Sequence, residues 1–254
     1  MFDLTFCFVA MISIFGGGLL GLLLGHTILG RYLDESTHKN VQIAMGTISV
    51  MVALVISLMM AEARNILSSR DRQVEQLATD LIVLDRELLR YGSETQDAHR
   101  LVRQYTALKI KLTWPASGSG TMLDSPQSLH LIETVQDRLL ELQPKNAAQR
   151  AMLASALQVT NRLIETRWTL AVEHGREIPR AFLYAVVFWL TILFISFGMF
   201  APGNRVVVAS LFVCALCLCV AILLIMDMDE PFGGIGFIMI SPEPMQHALA
   251  SMPG

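Results

Sequence analysis

Apolar residues gather in four blocks, two at each end of a 254-residue chain. The blocks cover residues 4–29, 41–61, 179–200 and 206–226. Each supplies the ~20 residues that a helix needs to cross a ~30 Å hydrocarbon layer. Between the second and third lie residues 62–178, where polar and apolar positions alternate with helical period. Residues 227–254 form a tail. The pattern predicts an all-α protein: four transmembrane helices with a cytoplasmic helical bundle inserted after the second.

Span two is predicted to continue out of the membrane as one helix. No Gly or Pro interrupts it until Gly92. Leu67, Val74, Leu77, Leu81, Leu84, Leu88 and Tyr91 recur at alternating spacings of a heptad seam. Ser93 and Gln96 read as a capping box opening a new helix with Leu101, Tyr105, Leu108 and Leu112. The Gly- and Ser-rich stretch 115–126 is a loop. A third helix starts near Pro126 and ends before Pro144, and a fourth starts at Asn146 and stops at Gly175.

Composition agrees with a membrane protein. Hydrophobic residues make up 53% of the chain, and the mean hydropathy is +0.51. The net charge of −3 is small. Residues 62–177 hold equal numbers of basic and acidic side chains, a neutral balance that argues against nucleic-acid binding. The first block lacks the basic start and cleavage site of a signal peptide, so it reads as a retained span. Arg64, Arg70, Arg72, Arg167, Arg176 and Arg180 flank the module, whereas the other side has Arg31, Lys39 and Arg205. This bias places the module and both termini in the cytoplasm of a multi-pass inner-membrane protein.

Catalytic signatures are missing: no phosphate-cradling Gly loop, no HExxH, no nucleophile elbow. Cys7, Cys214, Cys217 and Cys219 all lie in apolar runs without further ligands, so they read as packing residues. The chain is therefore not expected to be an enzyme, and no cofactor is required. Two stripes point elsewhere. Ser13, Gly17, Gly21 and Gly25 repeat every fourth residue, a surface for close helix approach, favoured within the chain over between subunits. In span two, Gly46, Ser49, Ala53, Ile56 and Met60 fall within about 80° of one helical face. Around a symmetry axis that face would form a pore with an apolar constriction. Ordinary helix packing is the competing reading. Asp227, Asp229, Glu230, Pro231, Phe232 and Gly233 follow span four. They read as a clamp folding the tail back, with a calcium site as the alternative.

Four segments carry a resemblance: residues 44–63, 74–92, 188–204 and 228–249. They resemble bacterial bestrophin-like integral membrane proteins, and the resemblance extends, more distantly, to bestrophins. It implies a homo-oligomer, pentameric in bestrophins, that conducts small anions through a pore lined by the second span. Bestrophins carry a Pro-Phe-Gly element followed by acids that clasp calcium. Here the acids precede Pro231-Phe232-Gly233, and aromatic constriction residues are missing from span two. The expected partners are the lipid bilayer, further copies of the chain and small inorganic ions. The alternative function is a non-conducting scaffold or sensor whose bundle binds a partner.

Overall fold

The computed structural model describes residues 2–27, 35–115, 125–173, 180–229, 232 and 238–252. Those residues contain eight α-helices and no strand. They are α1 (Phe2–Thr27), α2 (Glu35–Tyr91), α3 (Gln96–Thr113), α4 (Pro126–Leu140), α5 (Ala147–Glu173), α6 (Arg180–Phe200), α7 (Arg205–Asp229) and α8 (Glu243–Ser251). A 3-10 turn, Ser93–Thr95, links α2 to α3. Four helices are long and apolar enough to cross a membrane: α1, the first part of α2, α6 and α7.

The chain divides into two compact units. The membrane unit comprises Met1–Ile66 and Glu177–Glu230. Its central contact is α1 against α6, with α7 packed on α1 as well. The small residues of α1 make that contact possible. A Cβ added at Gly17 would stand 3.0 Å from the Thr191 carbonyl oxygen. At Gly21 and Gly25 it would run into the backbone of Ile195 and Met199. Gly198 answers from α6, where a Cβ would strike the Gly18 carbonyl. Glycine on both helices lets the backbones touch, which replaces hydrophobic drive as the glue in lipid. Ser13 adds a hydroxyl pair with Thr191 at 3.0 Å. Edge-to-face rings, Phe6 with Tyr184 and Phe15 with Phe212, fill the flanks.

The helical unit comprises Leu67–Arg176 and Pro231–Gly254. Its core is built on the heptad seam: Val74, Leu77, Leu81, Leu84 and Leu88 of α2 are all buried. Val102 and Tyr105 of α3, Ile132 and Leu139 of α4, and Val159 and Leu163 of α5 close around them. The tail belongs to this core too, through Ile240, Met245, Ala248 and Met252.

Local chemistry sets the helix ends. Ser125 caps α4 by accepting from the Ser128 amide, and Pro126 occupies the first helical position. Asn146 accepts from the Gln149 amide, while the Gln149 side chain accepts from the Lys145 amide. The α2–α3 junction departs from the sequence expectation. The helix begins at Gln96 with no side-chain cap. Gly92 takes φ 131°, a value side-chain-bearing residues rarely adopt. Thr95 then spends its hydroxyl on the carbonyls of Leu88 (2.6 Å) and Gly92 (2.8 Å). A Ser93–Gln96 capping box is thus displaced by a threonine that ties the turn back onto the end of α2. The expected stop at Gly175 lies outside the described residues.

Candidate functional site

Helix α2 is one element of 57 residues. It supplies residues to both compact units. Val52, Met59 and Ala63 are its buried positions in the membrane unit. Around the helix, Ser49, Ile56 and Met60 are half-buried, and Gly46 and Ala53 are exposed. These five form a shoulder beside the packed side. The side opposite the packed one carries Val50, Leu54 and Leu58, which are 62%, 66% and 71% exposed.

The hydroxyls on this segment are held by their own helix. Ser49 donates to the Met45 carbonyl and Ser57 to the Ala53 carbonyl, both at 2.8 Å. Their oxygens keep lone pairs for a further donor, and no donor proton is left unsatisfied. A Cβ at Gly46 would meet nothing within 4 Å, so this glycine leaves a shallow open notch.

The part of α2 in the helical unit carries different chemistry on one of its faces. Arg72, Gln76, Thr79, Arg86 and Arg90 fall within about 80° of one another there, and all are exposed. No acid shares the strip; Glu75 and Glu87 stand at its margins. This face of α2 in the helical unit is therefore basic.

The acidic end of α7 and the residues after it divide. Asp227 is buried and Asp229 half-buried, and each is engaged in an interaction. Glu230, Pro231 and Gly233 lie outside the described residues. Phe232 packs edge-to-face on Trp114, with ring centroids 6.0 Å apart. Trp114 also donates its indole N–H to the Ile240 carbonyl at 2.8 Å. Trp114 thus holds the tail by a ring contact and a hydrogen bond. No group of three metal-ligating side chains occurs among the described residues.

Charged pairs stitch the helical unit. Arg162 of α5 reaches the buried Asp80 of α2 at 3.0 Å. His99 of α3 meets the buried Asp85 of α2 at 2.7 Å. On the surface, Lys145 pairs with Glu94 at 2.7 Å, which lowers the Glu94 pKa and raises that of Lys145. The Asp85–His99 pair escaped the sequence reading. Its members are 14 positions apart across a turn, and the signal present was an acid, Asp85, interrupting the apolar seam.

A family model described as a bestrophin-like domain matches residues 12–245. Curated proteins give no match. A solved structure described as a membrane protein, in mutant form, superposes with TM-score 0.72 at 7% identity; the match covers 96% of this chain and 97% of that one. A mutant of a bacterial bestrophin homologue from Klebsiella pneumoniae superposes with TM-score 0.59 at 11% identity, again covering 96% and 97%. At such identities the structures speak for the fold, and the family model speaks for kinship. A four-span membrane protein with a long second helix, matched over nearly its whole length, belongs to the bestrophin-like family.

Proposed function

We propose that this protein is a homo-oligomeric membrane channel, not an enzyme, and that α2 lines a pore for small anions. The observation that carries this reading is the outward side of α2. Val50, Leu54 and Leu58 are unburied large apolar residues in its membrane part. In the helical unit, Arg72, Arg86 and Arg90 share one exposed face of the same helix. Lipid alone would account for the apolar row. A chain that also carries a basic row on this helix suits a channel of several copies, with a narrow greasy segment and a positive vestibule. Apolar constrictions gate by dewetting, and a positive lining concentrates anions. Bestrophins are anion channels, which supports the same choice of ion.

The shoulder of Gly46, Ser49, Ala53, Ile56 and Met60 then borders the pore. Its small upper residues suit close approach of a neighbouring α2, and Ile56 and Met60 narrow the lower edge. The tail, from Asp227 and Asp229 through Phe232, serves as a structural clamp. The competing scaffold reading is favoured by no particular contact.

The test is flux from vesicles reconstituted with the purified protein. Chloride efflux is expected above that of protein-free vesicles and above potassium efflux. Vesicles that stay tight to both ions, with a monomer in detergent, would transfer support to the scaffold.

A further inference from the structure

Asp85 is a carboxylate with 0% exposure in the core of the helical unit. It lies in the polar continuation of α2, well beyond the apolar stretch that ends at Ala61. A buried carboxylate needs a counter-charge or a proton, because burial penalises its ionised form. Its partner is His99, one turn into α3, with Nε2 at 2.7 Å from Oδ1 and a side chain 13% exposed. At this distance His99 acts on Asp85 through its charge first and through a side-chain hydrogen bond second. Beside the pair opens a cleft of about 620 Å³, lined by Leu88, Gly92, Thr95, His99 and Arg100 among others. His99 thus stands between a dry carboxylate and a route to water.

We propose that Asp85 and His99 together form a proton-binding latch that fastens the start of α3 to the end of α2. With one proton on the pair, the buried site is an ion pair or a neutral acid beside a neutral imidazole. Either is tolerable in a core. When that proton leaves, a bare carboxylate remains against a neutral ring. Burial already holds the Asp85 carboxyl above its usual range; His99 and Arg86 act in the opposite direction. The folded unit holds the Asp85 proton more tightly than the unfolded chain, so the latch is intact toward acid and lost as pH rises through the titration of Asp85.

The other charges around the latch are already committed or stand apart. Arg86, on α2, acts on Asp85 in the same sense as His99. Arg100, on the cleft wall, is turned to Asp97. Glu94 of the turn holds Lys145, from the connection before α5. Arg162 of α5 holds Asp80. The pair straddles the Gly92 turn, the one described position with positive φ. Loosening it frees the segment whose other local tie is Thr95.

The experiment is amide hydrogen exchange on the full-length protein in detergent from pH 5 to 9, corrected for the intrinsic pH dependence of exchange. The reporters are peptides covering residues 93–102. Protection is expected to fall through a single step toward alkaline pH. Peptides from α4 should not share the step. Asp85→Asn should remove it. If Asp85→Asn does not fold, His99→Gln should remove it as well. An unchanged step in whichever variant folds, or no step in the parent, would overturn the latch. Neither readout depends on conduction.

Discussion

Gly21→Ala is expected to cripple the membrane unit, although the change is a single methyl group. A Cβ at this position collides with the backbone carbonyl of Ile195, and backbone cannot swing aside as a side-chain tip can. Helices α1 and α6 would have to separate along their whole contact, giving up the packing that drives association in lipid. Overpacking of this kind costs about 1–3 kcal/mol. The measurement is thermal unfolding in detergent, together with yield of the assembled protein. Gly198→Ala should behave alike, because a Cβ there meets the Gly18 carbonyl. Gly16→Ala supplies the control. Nothing lies within 4 Å of its added Cβ, so its melting should match the parent. Equal melting of Gly21→Ala and Gly16→Ala would mean that the glycine stripe does not set the helix distance.

The second large effect concerns the basic strip. Replacing Arg72 and Arg90 together by Glu reverses two exposed charges on one face of α2. Exposed charges of this kind contribute little to stability, so the variant should fold and melt much like the parent. Its effect should appear in ion selection instead. A vestibule lined by several copies multiplies each reversal, and clustered like charges set the local potential. The chloride-to-potassium preference should fall roughly tenfold or invert, with a larger change at low ionic strength because salt screens the strip. A variant that conducts with unchanged preference would remove the strip from the ion path and leave the apolar row of α2 as the reading's support.

Some of this was legible in the chain and some was not, for physical reasons. The spans could be read because length and apolarity are properties of a single stretch of sequence. The seam from Leu67 to Tyr91 could be read because a helix that packs on its own neighbours repeats its core positions. The Gly17–Gly21–Gly25 stripe announced a close approach, but the partner, α6, is a matter of tertiary structure. The exposure of α2 shows the limit most clearly. Small and polar residues at Gly46, Ser49 and Ala53 singled out one side of α2. Which side is turned away from the rest of the chain depends on where Val52, Met59 and Ala63 are buried, and the outward row proved to be Val50, Leu54 and Leu58. The tail gave its fold-back through a Pro-Phe-Gly turn. Its actual holder, Trp114, lies 126 positions from Ile240, a distance that no local pattern spans. At the α2–α3 junction a local rule failed because Thr95 had a better use for its hydroxyl than a capping box offers.

The most direct measurement of the central claim is current through a Leu54→Cys variant in a background without the four native cysteines, before and after a water-soluble, charged thiol reagent. If α2 surrounds the ion path with its outward side to the axis, the reagent reaches Cys in place of Leu54 and blocks an otherwise steady anion current irreversibly. The same treatment of Val52→Cys, at a position only 2% exposed, leaves the current intact. A steady current that ignores the reagent at position 54, or a protein that passes no current at all, would contradict the account.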